Sequence, residues 1–218
     1  VIEAPCIQTV ERENVQPLAD ALAQRHDWAV FTSPAGVHAA VHALAKLGRD
    51  LRALYGMKLA AIGRGTADAL AGYGLTADLI PAQYDGEHLA DALTAAMPQG
   101  GAALLLRAAA GGQILPEKLK AAGVYVTDVP LYDTEYRCAK ADELRAMLEQ
   151  GTADVVTFTS MSTVEGFGQA VGAADYAGFT ALCIGEQTAQ AARRYNMNVK
   201  IAENATIDAM IACLLEES

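Results

Sequence analysis

Four short turns in this sequence combine small hydroxyl side chains with glycine, where a predicted strand runs into a helix. They read FTSPAG, IGRGT, FTSMST and IGEQT, and their candidate binding residues are Ser33, Gly63, Thr66, Ser160, Gly185 and Thr188. A Ser or Thr at a helix start can cap the helix, and the free N–H groups there attract anions such as carboxylates. Capping alone explains any single turn, but four paired turns favour a shared site for a polyanionic ligand. We expect them at the carboxyl ends of parallel strands, where open α/β sheets bind ligands.

Two further side chains are candidates for the same site. Arg107 ends the apolar run ALLLR, where a cation would meet an anionic ligand, although a solvated arginine at a strand end fits equally well. Tyr132 lies in the stretch VPLY, which we interpret as a connection between two domains. Its ring can pack between domains, or its hydroxyl can reach into a cleft. Both interpretations stay open at this point.

Motifs for other chemistries are incomplete. The Gly-Arg-Gly of the second turn begins a dinucleotide-binding fingerprint, but Asp68 occupies the position of its third glycine. His38 and His42 are four residues apart on one predicted helix face without a third ligand nearby, so we expect no metal site. The serines of the two Phe-Thr-Ser turns lie outside a Gly-x-Ser-x-Gly elbow. We therefore expect neither covalent catalysis nor a cofactor.

The four turns belong to an internal repeat. DWAVFTSPAGVHAAVHAL resembles DVVTFTSMSTVEGFGQAV, and an Ile-Gly-x-x-Thr motif follows each copy. The copies are offset by 127 residues at Phe-Thr-Ser, from Thr32 to Thr159, and by 122 at Ile-Gly, from Ile62 to Ile184. These nearly equal offsets indicate one duplicated unit, with a period too long for a solenoid. We predict two related domains.

Apolar strand-like runs alternate with helical patterns along the chain. WAVFT and VVTFT are apolar almost throughout, which is typical of strands buried on both faces of a parallel sheet. A short strand is predicted after each Ile-Gly helix, at Thr76–Pro81 and Asn198–Glu203. Gly100–Tyr132 adds a strand–helix–strand unit in which Gly123 suits the helix C-terminus. The predicted fold class is α/β, with two similar domains, each a parallel sheet flanked by helices.

Two extended segments set the predicted domain boundaries. VIEAPCI at the N-terminus and VPLYDTEY at Val129–Tyr136 each contain a proline, which suits an edge or linker strand. We interpret them as connections that run side by side, so that a two-strand linker joins the domains. One predicted domain is 6–131, and the other combines 1–5 with 132–218.

Composition and charge argue against several classes of protein. The chain is 52% apolar with a formal net charge of −10, which fits neither a disordered chain nor a general nucleic-acid binder. Its apolar runs are shorter than the ~20 residues of a membrane helix, and no signal-peptide pattern is present. The cysteines are far apart and lack a Cys-x-x-Cys motif, so we expect free thiols in a reducing cytoplasm.

The series FTSPAGV, AAIGRGTADAL, LLLRA, ILPEKL, VPLYDT, VTFTS and CIGEQTAQAA resembles the uroporphyrinogen-III synthase family through nearly the whole chain. The resemblance implies two α/β domains joined by a two-strand ladder. It also implies a cytoplasmic, monomeric lyase of porphyrin (haem-type tetrapyrrole) biosynthesis that needs no metal or organic cofactor. Family members typically begin with an additional strand and helix, so we expect this chain to lack that unit of its second domain. Gln113 stands where many members have an arginine.

The resemblance also implies a reaction and roles for individual residues. The family cyclises hydroxymethylbilane, a linear tetrapyrrole rich in carboxylates, to uroporphyrinogen III, with inversion of ring D and loss of water. Tyr132 matches the family's linker tyrosine and is expected to assist departure of the hydroxyl. The serines, threonines and glycines of the four turns are expected to hold substrate carboxylates, and Arg107 is a further candidate. The alternative function is a non-catalytic two-domain protein that binds a small anionic ligand.

Overall fold

The structure, a computed structural model, describes residues 1–215 and separates into two compact units. Thr9–Asp133 forms one, which we call the inserted unit. Val1–Gln8 and the residues from Thr134 onward form the other, which we call the terminal unit. The chain passes between them along two strands, Ile7–Glu11 and Tyr125–Tyr136.

The inserted unit alternates strands and helices, as predicted. Its elements, together with the two strands that lead into and out of it, are β1 (Ile7–Glu11), α1 (Gln16–Leu22), β2 (Trp28–Phe31), α2 (Pro34–Lys46), β3 (Lys58–Ala61), α3 (Arg64–Gly72), α4 (Gly86–Ala96), β4 (Ala102–Ala108), α5 (Ile114–Ala121) and β5 (Tyr125–Tyr136). A short 3-10 helix at Leu51–Leu54 precedes β3. Every residue of β2 is buried, because helices cover both faces of the central strands.

The sheet of the inserted unit has the strand order β1-β5-β4-β2-β3. The pairs β2–β3, β2–β4 and β4–β5 are parallel. β1 is antiparallel to β5, since Arg12 N–H donates to the Leu131 carbonyl and Arg137 N–H donates to the Cys6 carbonyl. The sheet is therefore mixed, and the prediction of a purely parallel sheet was wrong at this edge. The chain enters along β1 and leaves along β5, so these neighbouring strands run in opposite directions.

Two apolar layers hold helices against this sheet. On one face, Leu18 of α1, Leu44 of α2 and Leu70 of α3 pack in a cluster with strand side chains such as Phe31. On the other face, α4 and α5 contribute a second cluster of leucines that packs on Val30 and Leu105 among others. Burying each such side chain contributes about 1.5–3 kcal/mol to folding. These layers fix the strands whose carboxyl ends carry the predicted turns.

The terminal unit has a smaller sheet. Its elements are α6 (Ala141–Glu149), β6 (Val155–Phe158), α7 (Met161–Val171), β7 (Thr180–Cys183), α8 (Glu186–Arg194), β8 (Asn198–Ile201) and α9 (Ile207–Leu215), with a 3-10 helix at Tyr176–Gly178. The strands are parallel in the order β6-β7-β8. Phe158, Phe167 and Phe179 form part of the core on one face, with aromatic rings meeting edge to face. Met210 of α9 packs with Leu182 on the other face.

The internal repeat is confirmed at the level of strand register. Phe31, the last residue of β2, pairs with Ala61 of β3, and Phe158, the last residue of β6, pairs with Cys183 of β7. A helix follows each of these four strands directly. The predicted strand at Asn198–Glu203 corresponds to β8.

The predicted strand at Thr76–Pro81 is reduced to one isolated bridge, between Ala60 and Leu79. The reason lies in Asp78, whose carboxylate accepts a hydrogen bond from Leu59 N–H at 2.7 Å. This N–H of β3 is therefore not free to pair with the backbone of a further strand. Gly123 does end α5 in a left-handed conformation, with φ 80°, as expected for a helix C-terminus.

The division between the units falls inside β1 and β5, a few residues from the predicted boundaries at 6 and 131. Cys6, predicted to start the first domain, packs in the core of the terminal unit. Tyr132, predicted to belong to the second domain, packs in the core of the inserted unit. The boundaries themselves stay a prediction.

Candidate functional site

Ser33 begins α2 at the carboxyl end of β2. Its backbone is extended, and its Oγ accepts a hydrogen bond from Gly36 N–H at 3.0 Å, which is the predicted helix cap. Pro34 follows at the first helical position, where a missing N–H costs nothing. A Cβ on Gly36 would lie 3.0 Å from the Leu106 carbonyl oxygen. Glycine therefore lets the start of α2 sit directly against β4.

Tyr132 reaches the same helix start from β5. Its Oη lies 2.8 Å from Ser33 Oγ, and the residue is only 6% exposed. The pairing of β4 with β5 shifts here, so that Pro130 faces Arg107 but Tyr132 faces Ala108. Because proline has no N–H for the ladder, a break in register at this point is expected. The structure thus brings two predicted site residues into direct contact within one unit.

Gly63 begins α3 beside this pair, at the end of the adjacent strand β3. Its backbone is extended, and no side chain caps the helix within the described part of the chain. The ring of Tyr84 packs over Gly63, since a Cβ there would lie 2.8 Å from the ring atom Cγ. Thr66 is 3% exposed, on the first turn of the same helix. Tyr84 was not anticipated, because it lies in an irregular segment without a motif.

Arg107 has internal partners instead of a solvent-facing position. It is 3% exposed, and its Nε and Nη2 donate to the two carboxylate oxygens of Asp128 at 2.9 and 2.5 Å. Its Nη1 donates to the Gly112 carbonyl at 2.7 Å and so ties down the loop after β4. The interpretation of Arg107 as a solvated residue was wrong, and its predicted role in substrate binding gains no support. Asp128 lies on the strand next to Arg107, so the pairing of β4 with β5 explains the contact.

Ser160 begins α7 in the terminal unit as Ser33 begins α2 in the inserted unit. Its Oγ accepts from Thr163 N–H at 3.3 Å, and Thr163 Oγ1 accepts from Ser160 N–H at 3.2 Å, which completes a capping box. Ser160 Oγ also lies 2.9 Å from Ser162 Oγ. The start of α7 therefore has a cluster of serine and threonine hydroxyl groups, whereas Ser33 at the start of α2 contacts the phenol of Tyr132.

Gly185 begins α8 at the end of β7, again with an extended backbone and, among residues 1–215, without a side-chain cap. A Cβ on Gly185 would meet nothing within 4 Å, whereas Gly63 is covered by Tyr84. Thr188 is 4% exposed on the first turn of α8, like Thr66 on α3. The two Ile-Gly-x-x-Thr turns thus have the same extended backbone conformation at glycine, but only Gly63 is covered by a side chain.

The structure groups the predicted residues into two sets. Ser33, Gly63, Thr66 and Tyr132 lie along the carboxyl edge of the sheet of the inserted unit. Ser160, Gly185 and Thr188 lie along the carboxyl edge of the sheet of the terminal unit. That both sets serve one ligand stays a prediction.

The two histidines of α2 have separate partners. His38 Nδ1 lies 2.9 Å from Tyr73 Oη, while His42 Nδ1 lies 2.6 Å from Glu11 Oε1, so the two rings have different partners. Within residues 1–215, no group of three His, Cys, Asp or Glu side chains could hold a metal ion. In the same range, no helix is both long and apolar enough to cross a membrane.

Comparison with known proteins identifies the family. The family model described as uroporphyrinogen-III synthase HemD matches residues 1–212. The chain belongs to the uroporphyrinogen-III synthase family. A relative from Ruminiclostridium josui, named porphyrin biosynthesis protein HemD, is 34% identical over 217 residues, covering 99% of this chain. The uroporphyrinogen-III synthase of Synechococcus elongatus is 27% identical over 226 residues, covering 98% of this chain and 84% of its own length.

Solved structures of uroporphyrinogen-III synthases share the fold. A variant of the Thermus thermophilus enzyme superposes with a TM-score of 0.68 at 23% identity, covering 98% of this chain and 88% of that one. The Helicobacter pylori protein gives a TM-score of 0.67 at 16% identity, covering 98% and 91%. By contrast, the chain spans only 43% of the length of the R. josui relative. The match to that protein therefore concerns less than half of it.

Proposed function

We propose that this chain acts as a uroporphyrinogen-III synthase, a lyase that cyclises hydroxymethylbilane to uroporphyrinogen III with inversion of ring D and loss of water. The hydrogen bond between Tyr132 and Ser33 carries this proposal, because it joins a proton-donating phenol to a helix N-terminus. Matches along nearly the whole chain to proteins named for this activity or pathway support it. The alternative of a non-catalytic binding protein gains no support from these relatives.

Tyr132 would assist departure of the substrate hydroxyl as a general acid. Gly36 N–H donates to Ser33 Oγ, which leaves the Ser33 hydroxyl proton available to Tyr132 Oη. The Tyr132 proton can then be donated to the departing hydroxyl, so that the C–O bond breaks and water leaves. Ser33 would stabilise the negative charge that develops on the phenol oxygen. The positive end of the α2 dipole acts in the same direction.

The Ile-Gly-x-x-Thr turns would hold substrate carboxylates. At Gly63 and Gly185 the helix N-terminus has no side-chain cap in the described residues, so first-turn N–H groups remain for an anion. Thr66 and Thr188 place hydroxyls on the same turns. Several such anchors would fix one conformation of a flexible chain, which ring closure to a single isomer requires.

The two units would act as the two domains expected for the family. In this proposal β1 and β5 form the two-strand linker, and each unit contributes its own turns to substrate binding. Arg107 is assigned to the structure of the inserted unit because Asp128 and Gly112 engage its guanidinium. The enzyme is proposed to work as a cytoplasmic monomer.

Product isomer analysis tests this function. Hydroxymethylbilane is generated in situ, the chain is added, and the oxidised products are separated into type I and type III isomers. Spontaneous closure gives the type I isomer without inversion, so a heat-denatured sample sets the baseline. An excess of type III over this baseline is expected. A folded sample that yields only type I would contradict the proposal for this chain.

A further inference from the structure

Two cysteines lie side by side at the terminal-unit ends of β1 and β5. Cys6 directly precedes β1, and Cys138 follows two residues after β5. The backbone joins the two segments, since Arg137 N–H donates to the Cys6 carbonyl at 3.2 Å. Both side chains belong to one apolar cluster, in which Cys6 is buried and Cys138 is half-buried.

Burial and the neighbouring Cys138 both affect the pKa of the Cys6 thiol. Burial, followed by the hydrogen bond and the charge of Cys138, raises the pKa of the Cys6 thiol to about 12. The Cys6 thiol also donates to the Ala4 carbonyl at 3.3 Å. Both cysteines are reduced in this structure. The Cys6 and Cys138 side chains therefore pack in the same cluster without a bond between their sulfur atoms.

We propose that Cys6 and Cys138 are an oxidation site, at which a low-molecular-weight disulfide converts the two thiols into an intramolecular disulfide. The added disulfide is reduced to two thiols while the protein loses two hydrogens, so atoms and electrons balance. This site is independent of the proposed function.

The difference in exposure sets the order of the two steps. The Cys138 sulfur, which is half-buried, attacks the added disulfide, whose S–S bond breaks and releases one thiolate. Cys6, at 6% exposure, then attacks the sulfur of Cys138 and expels the second thiolate. The proton of Cys6 passes through solvent to a released thiolate. Because the Cys6 thiolate is scarce, the second step is the slower one.

The bond would close a loop that contains the whole sequence of the inserted unit, Thr9–Asp133. A cross-link around a loop of this length restricts the unfolded chain strongly. We therefore expect a higher Tm for the oxidised protein than for the reduced protein, reversed by a reducing agent.

The test uses oxidised glutathione as the probe on the reduced full chain. Intact mass should first show one attached glutathione and then a species lighter than the reduced protein by two hydrogens. Peptide mapping should join the Cys6 peptide to the Cys138 peptide. The second step should accelerate about tenfold per pH unit in the mildly alkaline range, while Cys6 is mostly protonated.

Matched variants separate this pair from the other cysteines. Cys138→Ser should abolish the cross-link, and Cys6→Ser should stop the reaction at the attached glutathione. Cys213→Ser, which changes a cysteine on α9, should leave the cross-link unchanged. Attachment of glutathione at Cys138 without any cross-link at alkaline pH would overturn the proposal, as would a cross-link that involves Cys183 or Cys213.

Discussion

Tyr132 Oη lies 2.8 Å from Ser33 Oγ, although 99 residues separate the two in sequence. Three parallel strands bring them together, since β4 lies between β2, which leads to Ser33, and β5, which carries Tyr132. A phenol in contact with a helix cap is well placed to give up a proton.

Tyr132→Phe removes the proposed general acid and keeps the ring. We expect kcat for type III product to fall about 100-fold, because general acids contribute at this scale. The fold should persist, since the ring remains in its apolar cluster. Tyr125→Phe, at an exposed position on the same strand, is the control and should keep full activity. Equal activity of the two variants would remove Tyr132 from the mechanism.

Ser33→Ala and Ser160→Ala test whether the two repeat copies do the same work. Each variant loses a helix cap, and urea unfolding should show a loss of about 1 kcal/mol in either case. Only Ser33→Ala also removes a hydrogen-bond partner of Tyr132. We therefore expect a lower kcat in that variant than in Ser160→Ala. The opposite ranking would argue against the proposed hydrogen-bond chain.

Gly63→Ala and Gly185→Ala are predicted to differ in stability. The new methyl at Gly63 would lie 2.8 Å from Tyr84 Cγ, so the tyrosine must move, at a cost of about 1–3 kcal/mol. The methyl at Gly185 meets nothing within 4 Å, and both backbones are extended, so no strain is expected there. Denaturant midpoints compare the two variants. A stability loss at Gly185 as large as that at Gly63 would show that the packing of Tyr84 is not the cause.

Asp128→Asn should lower the stability of the fold, because it leaves the buried guanidinium of Arg107 without its carboxylate partner. Arg107 is 3% exposed, so we expect a loss of about 2–3 kcal/mol in the free energy of unfolding. Asp133→Asn breaks the exposed pair with Arg12 and should cost much less, because water screens that pair. Unfolding in urea at neutral pH measures both. Similar losses in the two variants would mean that the pair at Arg107 is not a buried one in solution.

His26 should make stability depend on pH. It is 5% exposed, its Nε2 lies 2.8 Å from Thr127 Oγ1, and within the described residues its buried Nδ1 has no hydrogen-bond partner. Burial lowers the pKa of His26, against a smaller opposing effect from the backbone at Gln24. Below the ordinary histidine pKa of about 6.5 the unfolded chain binds the proton more readily. Stability should therefore be full above that pH and fall as the pH drops.

The control for this pH dependence is a second histidine. His26→Gln keeps a partner for Thr127 but removes the titrating group, so its urea midpoint should vary less between neutral and mildly acidic pH. His38→Gln, at an exposed position, should retain the pH dependence of the unchanged protein. If the pH dependence of the urea midpoint disappeared in His38→Gln and persisted in His26→Gln, His26 would not be its cause.

Local patterns predicted most of the elements that carry the site. The repeat, the parallel strands β2 and β6, and the capping roles of Ser33 and Ser160 all follow from short motifs whose physics is local. The prediction of a strand at Thr76–Pro81 was wrong because one side chain, Asp78, competes for the backbone N–H of Leu59. Hydrophobic periodicity contains no information about such competition.

Contacts across strands were harder to predict. The pairing of Arg107 with Asp128 depends on which strands are neighbours, and the packing of Tyr84 on Gly63 depends on the path of an irregular segment. The segment VIEAPCI at residues 1–7 was predicted to be extended, but strand β1 begins only at Ile7, its last residue, and runs to Glu11. Its antiparallel direction follows from where the chain enters and leaves the inserted unit. These features depend on tertiary structure, so no periodic pattern in the sequence predicts them.

The extended backbones at Ser33, Gly63, Ser160 and Gly185 have a consequence for how this family diverges. In the proposed function, those at Gly63 and Gly185 would bind anions through main-chain N–H groups, which every residue except proline possesses, so the identity of most surrounding side chains would matter little. Mutations can then accumulate around the turns without selection removing them. Purifying selection should instead concentrate on the few positions, such as Gly36 and Tyr132, where a side chain or its absence sets the geometry.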